Sequence, residues 1–404
     1  MKFLQSIKSA MKKNKKSIAS NLKSNASQSN SYFYNVGKPV WMERNYQQFA
    51  QEAYTKNVVA YRVINMIAGA AASISLKVFD YKGHPIDNHP IIGLLYKPNP
   101  HQNKSEFLEN LYLYRLISGN AYILSASNTN KFPKEIYSLR PDRVNVIAGD
   151  NFLPIGYQYK VGKREQVFSV DQIHGLSRVL HIKNSHPISD WYGLSAIEAA
   201  AYSIDQHNNA AAWNQALLQN GARPSGAIVV KGVDGRPSEL SDEQFGRLKE
   251  MIAEDLTGSV NAGKPMILEG GLDWKEISLS PKDMDFIEGK HSAARDIALA
   301  FGVPPQLLGI PGDNTYSNLV EARAALWEQT ILPLAENTID HIGSWLAKLC
   351  QDEFILKLDK DNISAMASKR EAIWERLEKV SFMTINEKRK QVGLTPIKGG
   401  DVVK

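Results

Sequence analysis

Ala300-Phe-Gly-Val-Pro-Pro-Gln-Leu-Leu-Gly-Ile-Pro-Gly-Asp-Asn-Thr-Tyr-Ser-Asn318 decides how this chain is read. A helical pattern runs into it, and a longer one leaves it. Between them lie Pro304, Pro305 and Pro311 with Gly302, Gly309 and Gly312. Proline fixes φ and removes a donor, and glycine admits φ > 0, so neither helix can continue through. A polar loop between two long helices can present its tip to another molecule. A surface loop between core helices is the plainer reading, and most such loops are that.

Outward from the loop, helical periodicity predicts about 281–301 before it, with Met284, Ile287, Ala294, Ile297 and Phe301 as the apolar face. Ser280 and Pro281 suit that helix start. After the loop, Ser317 or Asn318 is expected to cap a helix to about Leu349, kinked at Pro333. Further back, Ser195-Ala-Ile-Glu198 reads as a capping box for a helix to about Asn220. Between the two earlier helices the pattern is β–α–β–β. Strands are expected at Gly226–Val230, Pro265–Glu269 and Trp274–Leu279, with a helix capped by Ser241-Asp-Glu-Gln244.

The first half reads as α+β. A helix is expected over Thr55–Ala72, then a strand over Ile74–Tyr81. Ser105–Ile117 is a second helix, capped near Asn103 or Ser105 and stopped by Gly119-Asn120. Short strands follow at Ala121–Ala126, Val144–Ile147, Tyr157–Lys160 and Val179–Ile182. Near the C-terminus a helix covers about Ser368–Val380. Thr384-Ile-Asn-Glu387 is a capping box for a last short helix, which ends at Gly393.

The 404 residues suffice for two or three domains, and 43% hydrophobic with 22% charged residues is ordinary for a globular chain. The net charge of +6 is concentrated in the first 23 residues, which hold seven lysines and no acid. Such a head can address nucleic acid or anionic membrane, but a solvated tail through residue 35 is the expectation. No apolar h-region marks a secretory signal there. Val63–Leu76, the longest apolar run, is too short to span a bilayer. The one cysteine, Cys350, excludes an internal disulfide and sits in an apolar helical pattern, as a buried inert thiol would.

Three near-matches to catalytic motifs fail on inspection. Gly258-Ser-Val-Asn-Ala-Gly263-Lys264 has phosphate-loop spacing, but Pro265 replaces the magnesium-binding Ser or Thr, and a helix precedes it where a strand should. Gly193-Leu-Ser195 begins like a nucleophile elbow but lacks the closing glycine, and Ser195 is already committed to a helix cap. His181, His186 and Asp190 lack the helical spacing of a metal site. Neither catalysis nor a cofactor is expected.

Taken in order, a set of short pieces resembles one family. They are Ser118-Gly-Asn-Ala-Tyr122, Leu139-Arg-Pro141, Trp191-Tyr-Gly-Leu-Ser195 and Gln219-Asn-Gly-Ala-Arg-Pro-Ser-Gly226. Phe301-Gly-Val-Pro-Pro-Gln-Leu-Leu-Gly309, Thr315-Tyr-Ser-Asn318 with Leu332-Pro333, and Thr384-Ile-Asn-Glu-Lys-Arg389 with Gly393-Leu-Thr-Pro396 complete it. Over about residues 40–400 the chain is similar to the portal proteins of long-tailed bacteriophages, a family shared with gene transfer agents.

The resemblance implies an α+β subunit in a homo-oligomeric ring, usually of twelve copies, at one vertex of the capsid. Double-stranded DNA passes through the ring, which meets the major capsid protein, the terminase packaging motor and later the head–tail adaptor. The subunit would be assembled in the host cytoplasm and reside in the virion, without a membrane partner. The implied division is tail 1–35, wing 36–194, stem helix 195–222, clip 223–279, stem helix 280–302, tunnel loop 303–318, wing helix 319–360 and crown 361–404. Asp313, Asn314, Thr315, Tyr316 and Asn318 would then face the DNA. No Lys or Arg lies between Gly309 and Asn318, or between Ser195 and Gly221. That suits a wall DNA must slide past, because Lys and Arg contacts dominate backbone affinity. Two other readings predict different things. A nucleotide-dependent DNA-processing enzyme would depend on Lys264, and a basic nucleic-acid-binding protein would depend on residues 1–23.

Overall fold

The computed structural model describes residues 41–126, 132–149, 153–219, 226–230, 241–255, 272–276, 286–310, 316–394 and 396–402. The chain divides into units of residues 1–41 and 42–404, and the second holds every element below. The basic head lies outside the described residues, as do Gly258–Lys264, the 265–269 strand, the Gly270-Gly271 turn and the Ser280-Pro281 helix start.

Asn57 opens helix α1 (Val58–Ser73), its side chain accepting from the Val59 and Ala60 amides. The expected start at Thr55 belongs instead to a π-helical stretch, Phe49–Thr55. Ala60, Val63, Ile64, Ile67 and Ala71 are the buried face of α1. Strand β1 (Ser75–Phe79) follows, then a short helix α2 (Pro90–Tyr96) that periodicity did not reveal. Helix α3 (Lys104–Ser118) opens on a reciprocal Asn103–Glu106 capping box and closes on Gly119 at φ 74°.

Six strands of this half form two antiparallel sheets. β2 (Asn120–Ser125), β3 (Ile136–Leu139) and β7 (Val179–Lys183) form one sheet in the order β3-β2-β7. β4 (Val144–Ala148), β5 (Pro154–Val161) and β6 (Arg164–Ser169) form a second. Tyr122, Leu139, Val144, Tyr157, Phe168 and Val179 pack between the two as a small core. β3 and β6 were not expected. β6 is exposed at nearly every position, so it carries no alternation to read.

Helix α4 (Ala196–Gln219) begins as expected, but the capping box is only half formed. Ser195 Oγ accepts from the Ile197 amide at 3.0 Å, whereas the Glu198 carboxylate turns to Arg44 at 3.6 Å. The Ser195 hydroxyl donates to the Ile117 carbonyl at 2.6 Å, so the cap doubles as a tertiary tie to α3. Beyond α4, β8 (Gly226–Val230) and β9 (Leu272–Glu276) pair antiparallel around α5 (Asp242–Asp255). Ser241 and Gln244 cap α5 reciprocally.

Helix α6 (Phe286–Ala300) precedes the Pro-rich loop, and α7 (Tyr316–Leu326) follows it. α7 starts at Tyr316, so Ser317 and Asn318 lie within the helix instead of capping it. Pro333 does not simply kink the chain. A π-helical stretch, Trp327–Ile331, links α7 to α8 (Leu332–Cys350), and the Leu332 amide reaches back five residues to the Trp327 carbonyl. Proline lacks the donor for regular pairing, and a π-bulge absorbs the mismatch. β10 (Ile355–Asp359) pairs with β1, and helices α9 (Ala367–Lys379) and α10 (Ile385–Gln391) end the chain. α10 opens on the predicted Thr384–Glu387 capping box. The main core gathers α1, α3, α4, α6 and α8, with Ile64, Ile67, Leu111, Ile204, Ile297 and Ile342 fully enclosed. Each such side chain contributes roughly 1.5–3 kcal/mol by leaving water.

Candidate functional site: paired helices and the loop that follows

Helices α4 and α6 pack along each other through small and branched residues. Ile197, Ala200 and Ile204 on α4 and Ala293, Ala294, Ile297 and Ala298 on α6 are buried. Ser203 Oγ donates to Asp296 Oδ2 at 3.4 Å across the pair. The outer face of α4 is uncharged: Ala199, Tyr202, Gln206, Asn209 and Ala216 are exposed.

Two buried polar contacts hold α4 to the rest. Asp205 Oδ2 accepts the Met42 amide at 2.8 Å. Asn57 lies 3.2 Å from His207 Nδ1 and donates to Asn208 Oδ1 at 3.0 Å. Part of the polar surface of α4 is therefore structural.

The Pro-rich loop is built tightly at its base. Gly302 has φ 67°, and its carbonyl accepts from Thr330 Oγ1 at 2.6 Å. A Cβ on Gly302 would sit 2.6 Å from the same hydroxyl. Thr330 lies in the π-helical stretch, so the loop base is tied to the irregular turn beside Pro333. Val303 and Ile310 are buried, and Pro305–Leu308 forms a 3-10 turn closed by Gly309 at φ 70°.

Of the five predicted tip residues, Asp313, Asn314 and Thr315 lie outside the described residues. Tyr316 is the first residue of α7, and Asn318 is exposed in the same helical turn.

Two of the family pieces meet in one place. Gly119 and Gly193 touch backbone to backbone. A Cβ on Gly193 would lie 2.2 Å from the Gly119 carbonyl oxygen and 2.5 Å from the Asn184 nitrogen. Asn120 Oδ1 accepts from the Gly193 amide at 2.7 Å and from His181 Nε2 at 3.0 Å. Thus Ser118–Tyr122 and Trp191–Ser195 are two halves of a single knot.

Beneath the knot, Arg115 is 6% exposed and donates to Asn184 Oδ1, Thr338 Oγ1 and Asn337 Oδ1 at 2.7–2.8 Å. Burial pushes its pKa down to about 10. Neither Arg115 nor the Gly119–Gly193 contact was singled out from sequence. An arginine amid the apolar residues of a helix, three residues before Ser118, was the available signal.

His181 and His186 are each engaged in local structure. His181 is stacked on Tyr122 with ring centroids 4.3 Å apart, and burial holds its pKa down to about 3. His186 Nδ1 accepts from the Ile188 and Ser189 amides. Among the described residues no three His, Cys, Asp or Glu side chains gather as metal ligands. Cys350 is half-buried rather than buried, and burial raises its thiol to about 11. Among the described residues no helix is long and apolar enough to cross a membrane.

A model of the family "Phage portal protein" matches residues 58–393. An uncharacterised protein of Rickettsia bellii is 50% identical over 87% of this chain and 90% of its own length. The portal protein of Enterobacteria phage HK97 is 24% identical over 85% and 80%. A chain in the neck of a native gene transfer agent particle, computed with twelvefold symmetry, is 41% identical. It covers 90% of this chain and 97% of that one, at a TM-score of 0.67. With two tied helices, a clamped Pro-rich loop and a family model spanning most of its length, this chain belongs to the phage portal protein family.

Proposed function

We propose that the protein is the subunit of a portal ring, usually of twelve copies, at one vertex of a phage or gene-transfer-agent capsid. DNA enters and leaves through the axis of the ring. The observation that carries this reading is the 41% identity, over nine-tenths of the chain, to a chain in the neck of a native gene transfer agent particle, a neck computed with twelvefold symmetry. The implied division stands as a proposal: wing 36–194, stem helices 195–222 and 280–302, clip 223–279, tunnel loop 303–318, wing helix 319–360 and crown 361–404.

In this reading α4 and α6 are the stem, and the uncharged outer face of α4 meets a neighbouring copy or the lumen. The loop tip offers Asp313, Asn314, Thr315, Tyr316 and Asn318 to passing DNA without a cation among them. Sliding is favoured when phosphate contacts are weak. The Thr330–Gly302 tie holds the loop base. The protein is a conduit, and a separate terminase ATPase supplies the energy. The β8–α5–β9 segment is the docking face for that motor and then for the head–tail adaptor, and the wing meets the major capsid protein. Assembly takes place in the cytoplasm of the bacterial host.

Negative-stain electron microscopy with native mass measurement tests the ring. Annular particles of about twelve subunits are expected. A monomer that hydrolyses ATP in a Lys264-dependent way would replace this reading with the enzyme.

A further inference from the structure

We infer that the basic head, Lys2–Lys23, is a membrane-surface segment that lies as a helix on an anionic lipid bilayer, apolar face down and lysines at the headgroups. The inference is independent of the ring reading. The family resemblance implies no membrane partner, but it starts at about residue 40 and the matching family model starts at residue 58, so neither reaches the head.

The sorting of its side chains carries the inference. Residues 1–36 contain neither proline nor glycine, so nothing in them interrupts a helical period. At about 100° per residue, Phe3, Leu4, Ile7, Met11, Ile18 and Leu22 fall within one arc of about 100°. The seven lysines from Lys2 to Lys23 all fall outside it, in a separate arc of about 160°. Asn14 and Asn21 are the polar residues that share the apolar arc, and no acid lies in either.

That sorting selects among anionic partners. Contact with a DNA backbone uses the lysines alone and leaves six large apolar side chains in water. Protein interfaces are anchored chiefly by Trp, Tyr and Arg, and the first 23 residues contain none of the three. A lysine face beside a Phe, Leu and Ile stripe matches an interfacial helix. The stripe enters the acyl boundary, and the long lysine stems keep their charge among the headgroups. The helix lies on the bilayer and does not span it, since spanning needs about 20 apolar residues in succession.

Flotation of the full chain with vesicles tests this. The probes are vesicles of about three parts phosphatidylcholine to one of phosphatidylserine, and vesicles of phosphatidylcholine alone. Binding to the first at low salt is expected, about tenfold or more above the second, and weakening as salt is raised. The exchange I7K/K8I/M11K/K12M keeps composition and net charge but sets two lysines into the apolar stripe. It should lose binding about tenfold or more, as should deletion of residues 2–23. Circular dichroism and native mass confirm that both variants keep the fold and association of the wild type. Equal binding by the exchange variant would show that charge alone acts and would overturn the inference. So would binding that survives the deletion, or a wild type that leaves the vesicles untouched. A wild type that binds duplex DNA and no vesicle would put nucleic acid in the bilayer's place.

Discussion

Acidification should weaken this fold through one histidine, by an amount that can be worked out. His181 donates from Nε2 to Asn120 Oδ1 at 3.0 Å, with its ring stacked on Tyr122 and edge-on to Tyr157. Burial, and secondarily the nearby Lys183, depresses its pKa from 6.5 to about 3. A base whose folded pKa is lowered stays neutral in the native state, while the unfolded chain takes up a proton below pH 6.5. Stability is therefore complete above pH 6.5 and drains away as the pH falls toward 3. Between pH 6.5 and 5, where most carboxylates are still ionised, this amounts to about 2 kcal/mol at about 1.4 kcal/mol per pH unit.

Urea unfolding of the wild type and of His181→Gln at pH 7 and pH 5, followed by tryptophan fluorescence, measures it. His207 and His341 are also held below their ordinary pKa by burial. Both chains should therefore lose stability, and the wild type should lose about 2 kcal/mol more. Equal losses would show that the buried neutral imidazole is not the source of the pH dependence.

Three further outcomes follow from the same geometry. Gly193→Ala places a methyl against backbone atoms that cannot step aside, so it should cost roughly 2–4 kcal/mol in denaturant titrations. Arg115→Ala removes the donor from three acceptors, of which Thr338 is buried, and should cost roughly 1–3 kcal/mol, and Arg115→Lys should rescue little because an ammonium lacks the planar fork. Replacing Asp313 and Asn314 by lysine should leave rings intact by microscopy but reduce the DNA packaged per particle. A normal particle yield would remove these residues from the channel.

Local features were legible because they depend on neighbours in sequence. The cap of α3 was narrowed only to Asn103 or Ser105, whereas the Thr384–Glu387 capping box could be placed from residue type and spacing alone. The same held for Gly119 as a left-handed helix end and for the short strands with alternating burial. The half-formed box at Ser195 fails instructively. Glu198 had a competing partner in Arg44, more than 150 residues away, and Ser195 had one in the Ile117 carbonyl, so tertiary contacts outbid the local pairing. β6 was missed because an edge strand exposed on both faces leaves no period to detect. The π-helical stretches at 49–55 and 327–331 were missed because a single extra residue per turn barely disturbs an apolar pattern. The loop was recognised by its prolines and glycines, but not the hydroxyl of Thr330 that pins it.

By itself, the sequence determined most of the helices, though not Pro90–Tyr96, and it showed that regular helix cannot run through the Pro-rich loop and that this loop and α4 carry no cations. These follow from φ restriction, missing donors and residue charge, all properties of short stretches. Only the tertiary structure decided that two distant glycines meet backbone to backbone, that a buried arginine is held by neutral acceptors, and that α9 stands exposed. Such facts depend on which surfaces come together after folding, and packing among residues far apart in sequence sets them.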